Sequence, residues 1–193
     1  MVSQESWLMD LAVTLHPGHD AQRQRQTAMF AARLGYAAVH LPIAPGATFP
    51  EGELEALAKA AEPAMLVLDD QSAALGVVRG NDPVAVQAER AALDADGSTR
   101  PLIVAVPVSI GRTRNEAVAR ASRDPRFVGD MDPEQHGIFG TLDEAQAQVL
   151  ELANAGATEL LVTVADELDV ADLLAQVRSL VVGPQAVLGG KRA

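Results

Sequence analysis

Four histidines and no cysteine set the limits of the chemistry open to this chain. Without thiols there is no disulfide framework, no thiol nucleophile and no thiolate metal site. Two of the histidines, in His16-Pro17-Gly18-His19-Asp20, stand close enough to share a divalent metal, and Asp69 or Asp70 would add oxygen ligands. The plainer account of the same residues is a Pro-Gly turn with Asp20 capping a helix. His40 lies between Val39 and Leu41, a setting that suits a site residue and a hydrogen-bonded core histidine equally. Asp69-Asp70-Gln71 offers an acid/base pair if one carboxyl is desolvated. Neighbouring strand residues point to opposite faces, however, so at most one of the two serves a given pocket. Ser109 and Arg112 follow the fourth strand, and the guanidinium can hold a phosphate or carboxylate bidentately or be a solvated residue ahead of a cap. His136-Gly137 falls in a long loop, either a lid or a plain connection.

These residues need elements to position them, and the clearest run from Gly140 to Thr163. Thr141 to Glu144 has capping-box spacing. Ala145, Val149, Leu152 and Ala153 then recur at helical period, Asn154-Ala155-Gly156 supplies a stop, and Leu160-Leu161-Val162 reads as a strand covered on both faces. Upstream, Leu11–Leu15 reads as a strand. A helix follows, with Thr27, Phe30, Ala31 and Leu34 inward and Gly35 at its end, then a strand at Ala37–Leu41. Leu54 to Ala61 predicts a short helix and Ala64–Leu68 a third strand. Asp82-Pro83 opens a helix closed by Gly97. Leu102–Val108 predicts a fourth strand with Pro107 near its end, and Thr113-Arg114-Asn115-Glu116 opens another helix. The stretch Ser72 to Asn81 carries no clear pattern, and Arg123 to Phe139 reads as loop. About five strands alternating with helices predict a parallel sheet in a single domain over residues 1–193. A complete eight-fold barrel typically takes about 250 residues, so the expected fold is α/β, a partial or truncated parallel β/α (TIM-like) barrel. Its open edges favour a homodimer.

Composition narrows the function classes. With a formal net charge of −11 and no basic stripe, nucleic acid is an unsuitable partner. Apolar residues make up 48% of the chain but aromatics only 3%, so the core must be built from Ala, Val and Leu. No basic leader precedes a long apolar run and no segment approaches the length of a membrane span, which makes the cytoplasm the default expectation.

Three segments, Leu11 to Leu41, Val108 to Ala117 and Phe139 to Leu161, together resemble the bacterial-luciferase-like monooxygenase superfamily of flavin- and deazaflavin-dependent oxidoreductases. Leu11 to Leu41, with Leu34-Gly35-Tyr36, is similar to the family's opening unit. Val108-Ser109-Ile110-Gly111-Arg112-Thr113-Arg114-Asn115-Glu116-Ala117 resembles its late strand and following helix. Phe139-Gly140-Thr141-Leu142-Asp143-Glu144 through Ala155-Gly156-Ala157 to Leu161 is similar to its closing helix and strand. The segments cover roughly half the chain in the family's order, while the middle of the family's barrel, which contributes much of the cofactor pocket, is missing. The resemblance implies flavin (FMN) or deazaflavin as cofactor and hydride-transfer chemistry. Chemistry in β/α barrels sits at the C-terminal strand ends, which assigns His40 and Asp69 to catalysis and His16, Ser109, Arg112 and His136 to cofactor binding. The same rule selects Asp70, Gln71, Asp166 and Glu167 as strand-end residues. Two alternatives stand beside this reading: a non-catalytic barrel remnant acting as a flavin-binding or partner subunit, and a metal-dependent hydrolase built on His16, His19 and an aspartate.

Overall fold

The computed structural model describes residues 8–16, 18–44, 48–69, 76–123, 136–164 and 170–182. Asp70, Gln71, Asp166, Glu167 and most of the expected loop from Arg123 to Phe139 lie outside the described residues. In chain order the elements are β1 (Asp10–Thr14), α1 (Ala21–Arg33), β2 (Ala38–Pro42), α2 (Glu53–Ala61), β3 (Met65–Asp69), β4 (Val77–Arg79), α3 (Pro83–Ala95), β5 (Ile103–Ile110), α4 (Arg114–Ala121), β6 (Ile138–Gly140), α5 (Leu142–Asn154), β7 (Glu159–Val164) and α6 (Val170–Val181). The expected caps are in place. Asp20 accepts from the Arg23 amide at 2.8 Å, Asp82 caps α3 with Pro83 at its first turn, and Thr141 and Glu144 close a reciprocal capping box.

Every strand pairing is parallel, in the order β3-β2-β1-β7-β5-β4, with β6 also on β5. The last strand lies beside the first, the neighbour relation of a β/α barrel, and no ladder joins β3 to β4 or β6 among the described residues. The fold is therefore an α/β, partial parallel β/α barrel. Among the described residues it has seven strands where the sequence pattern suggested about five. The two additions, β4 and β6, are three residues each, too short to show a period, and they fall in the stretches that read as patternless or as loop.

Strand alternation divides the sheet into two faces. Leu11 and Val13, Val39 and Leu41, Val104 and Val106, and Leu160 and Val162 turn to an outer face. There they join Ala28 and Ala31 of α1, Leu57 of α2, Val86 of α3, Val149 of α5 and Leu174 of α6 in one core. The other face carries a smaller cluster of Ala12, Ala38 and Leu161 with Val67, Ile103 and Ala105 against it.

Helix α4 is the exception. Its Ala121 packs with Phe139, apart from the main core, and its Ala117 carbonyl accepts from Ser109 Oγ at 2.8 Å. Ser109 and Phe139 are register partners with the parity of the inner face, so α4 covers that face over β5 and β6. Handedness explains the switch. Crossovers β1 to β2, β2 to β3 and β4 to β5 all advance in one direction along the sheet, with their helices outside. β5 to β6 runs backwards, and a right-handed crossover in that direction must place its helix on the opposite side.

β4 and β6 share one edge of β5 in series, since β7 holds the other edge at Ile103 to Ala105 and again at Val108. Pro107 is explained by this arrangement. The Ile103 and Gly111 amides donate towards the β4/β6 edge, to Gly76 and Gly140, and the Ala105 carbonyl accepts from Gly80 there. Odd positions of β5 thus face that edge, and the missing amide of Pro107 meets the break between β4 and β6. The strand does not end near Pro107 as expected; it runs on to Ile110 because no ladder bond is lost.

Phe139 is buried, and a Cβ on Gly137 would lie 1.9 Å from its ring. Gly137→Ala is therefore expected to displace the ring and cost about 1–3 kcal/mol, and Thr141→Ala about 1 kcal/mol through the lost cap. Urea unfolding checks both, and an unchanged midpoint for Gly137→Ala would refute the close approach of Gly137 to Phe139.

Candidate functional site

The inner face is floored by small side chains and ringed by polar ones. Ala12, Ala38 and Leu161 form the floor, while Thr14, Thr163 and His40 stand towards the C-terminal strand ends and Asp10 and Glu159 towards the N-terminal ends. Arg79, exposed, has the same parity on β4.

His40 Nε2 lies 3.9 Å from Glu159 Oε1, with both side chains largely buried at 9% and 14% exposure. The contact crosses β1. Glu159 is in register with Asp10 and His40 with Thr14, so Ala12 lies midway beneath the pair. On a flat sheet, two strand spacings and four residue rises would part the two Cα atoms by roughly 16 Å. The side-chain tips meet because the sheet is concave towards this face and because alanine at position 12 leaves the path open. At 3.9 Å the contact is too long for a hydrogen bond and acts as a charge pair when the imidazole is protonated. Burial pushes the Glu159 carboxyl above the usual carboxylate range, and the neighbouring Asp10 carboxylate pushes it the same way.

The other expected site residues are dispersed. His16 Nδ1 accepts from the Gly18 amide at 2.8 Å, and its ring stacks on that of His19 at 4.7 Å between centroids. Stacked in this way, the two imidazoles do not converge on a common point. Among the described residues no group of three His, Asp or Glu side chains is placed to hold a metal, which leaves the hydrolase reading without a centre there. Ser109 was expected to meet a cofactor; instead it is fully buried beneath α4 with its hydroxyl engaged by Ala117, because the backward crossover brings a helix onto it. Arg112 is 93% exposed and turned back to Glu116, whose carboxylate accepts from its amide and, at 3.4 Å, from Nε. His136 is half-buried just before β6 and packs near Gly80 at the end of β4. Position 69 ends β3 and shares the parity of Met65 and Val67, while its side chain lies outside the described residues. Of the expected catalytic residues, His40 is the one seated on the inner face with a described partner. Glu159 was missed; its signal was an acidic residue immediately before the apolar run Leu160-Leu161-Val162, which reads as a turn residue until β7 is seen to begin with it.

No family model matches the chain, and no curated protein matches it. Among solved structures it is similar to (S)-3-O-geranylgeranylglyceryl phosphate synthase from Thermoplasma acidophilum, at 12% identity and a TM-score of 0.42, covering 90% of this chain and 93% of that one. It is also similar to a truncated 3-deoxy-D-arabino-heptulosonate 7-phosphate synthase from Thermotoga maritima, at 14% identity and a TM-score of 0.26, covering 80% and 50%. Neither likeness is close enough to assign anything to this chain, and neither protein is named as a flavin or deazaflavin oxidoreductase.

A carboxyl whose folded-state pKa is raised lends stability in its protonated form, and this contribution is lost as pH rises through the raised value. Glu159→Gln removes that loss. The variant's unfolding free energy is expected to gain on the wild type's as pH rises from about 4 to 8, and equal pH profiles in chemical denaturation would contradict the burial of an ionising Glu159.

Proposed function

We propose that the chain is a shortened luciferase-like protein that binds a flavin or deazaflavin on the inner face of its sheet, beside His40. The observation that carries the reading is the placement of the three resembling segments. They form β1-α1-β2, β5-α4 and β6-α5-β7, so pieces distant in sequence become the contiguous strands β2-β1-β7-β5-β6. The residues present fit a planar ring on one side only. Ala12, Ala38 and Leu161 give a low apolar floor, and Thr14, His40 and Thr163 give hydrogen-bonding groups at its rim. On the β5/β6 side α4 occupies the face. When bound, the cofactor would supply hydride-transfer chemistry; the chain would bind it, orient it and hold a proton at His40. Asp69, whose position has inner-face parity, belongs to the same proposed pocket. Self-association as a homodimer goes with this reading, since Met65, 64% exposed, and Leu68, also exposed, stand on the terminal strand β3.

A second reading is favoured by one observation. Ser109 is sealed and Arg112 is turned outward, so the phosphate-side contacts expected of an active oxidoreductase are not assembled there. A ring-binding or partner subunit without turnover matches that state.

Titration of the purified protein with FMN and with the deazaflavin cofactor, followed by absorbance and fluorescence, tests the proposal. Micromolar binding is expected, weakened about tenfold or more by His40→Ala, equivalent to roughly 1.4 kcal/mol. A protein that binds neither ring overturns the reading. Binding of FMN without oxidation of any hydride donor would select the non-catalytic form.

A further inference from the structure

We infer that the free edge of β3 is a self-association surface, on which β3 of a second copy pairs antiparallel about a two-fold axis. β3 ends the sheet, with β2 on one side only. The Met65 amide donates to the Ala37 carbonyl at 2.9 Å. Alternate residues of a parallel ladder face the same neighbour, so Val67 and position 69 also bond to β2, and Leu66 and Leu68 turn their N–H and C=O groups outward. Among the described residues nothing pairs with those groups. The side chains suit a covered edge better than a solvated one. β3 reads Met-Leu-Val-Leu-Asp, and Met65 and Leu68, 64% and 46% exposed, stand on opposite faces of it.

The opposite end of the sheet is protected where β3 is not. There β4 and β6 are three residues each, and β4 ends on the exposed Arg79. Short strands and charged side chains are the usual means of keeping an edge from pairing. β3 has five residues and no charge before its last. One pairing uses every outward group. With Leu66 opposite Leu68 of the second copy, each such pair exchanges both its hydrogen bonds, and Val67 lies on the axis.

A second copy is the occupant because the edge is complementary to itself. Apolar residues meet apolar residues, and the two-fold closes the assembly at a dimer, whereas pairing with the β4 edge of another copy would continue into an open chain of sheets. The direction follows from charge. A parallel pair would set position 69, an aspartate, beside its own copy, and like charges directly opposite are destabilising. The antiparallel pair sets Met65 opposite position 69 and brings that aspartate to the end of the strand where Lys59 and Glu62, both exposed, offset each other. Ala56 and Ala58, exposed on α2 just ahead of β3, leave room for the two helices to approach and enlarge the buried area towards the roughly 1,200 Å² of a stable interface. This inference does not rest on the flavin reading; it gives the self-association proposed above its route.

The test is the mass of the full chain by analytical ultracentrifugation at micromolar concentrations, for wild type and Leu68→Lys, with Val84→Lys on the exposed surface of α3 as control. Wild type is expected to be a dimer. Leu68→Lys is expected to raise its dissociation constant about tenfold or more, since both copies lose apolar burial and gain a charge on the edge, while Val84→Lys leaves it unchanged. A monomeric wild type overturns the inference and leaves the edge to a strand of another protein. A dimer that Leu68→Lys does not weaken overturns it too, since the contact then lies elsewhere. Should Leu68→Lys not fold, a single cysteine decides. The chain has none of its own, and on the axis Val67→Cys brings two Cα atoms to about 4.5 Å, within the range that a disulfide bridges. Mild oxidation is expected to link Val67→Cys into a covalent dimer and to leave Val84→Cys unlinked; failure of Val67→Cys to link overturns the inference. FMN titration bears on none of these outcomes, so the flavin reading stands or falls separately.

Discussion

Right-handed connection between parallel strands is the constraint on which the rest of this structure depends. As long as the chain advances along the sheet, its helices accumulate on one side, and the outer core of Val, Leu and Ala is the result. At β5 the chain steps back to add β6 on the edge already shared with β4, and the same handedness moves α4 to the other side. One reversal thus decides which part of the inner face α4 covers. The half over β5 and β6 is closed by α4, and Ser109 is spent on holding it. The half over β2, β1 and β7 keeps its polar residues.

What that other half can do follows from residue size as much as from residue type. Ala12 and Ala38 place methyl groups where larger side chains would stand between His40 and Glu159. Over them two long side chains from strands that are not neighbours reach each other. The sheet's concavity and the small floor are one device, since either without the other would leave His40 and Glu159 apart. Burial then raises the Glu159 carboxyl above the usual carboxylate range, with the Asp10 carboxylate pushing it the same way from the adjacent strand.

The edges of the sheet show how local chemistry was fitted to topology. Pro107 lies inside an eight-residue strand with neighbours on both sides, a position that ordinarily costs a ladder bond. Here its nitrogen faces the junction of β4 and β6. The small residues around β6 serve the same fit, because Gly137 lies against the Phe139 ring that anchors α4.

Local signals settled much of the architecture from sequence alone. Asp20, Asp82, Thr113 and Thr141 cap their helices as their spacing indicates, because a cap is formed within four residues and needs nothing from the rest of the chain. Apolar runs marked β1, β2, β3, β5 and β7, since a strand covered on both faces has to be apolar throughout. The alternation of these elements was enough to indicate a parallel α/β sheet. Strands β4 and β6 were illegible because three residues carry no period and exist only by pairing with β5. The site was legible in part. His40 could be singled out as a polar residue in an apolar strand, but its partner could not, because the pairing of Glu159 with His40 spans 119 positions and is made by the order β2-β1-β7 and the curvature of the sheet. Strand-end placement suggested Ser109 and Arg112 for the same reason it suggested His40. Only the direction of the β5-to-β6 crossover, a property of the whole sheet, decided that one would be buried under a helix and the other turned to solvent.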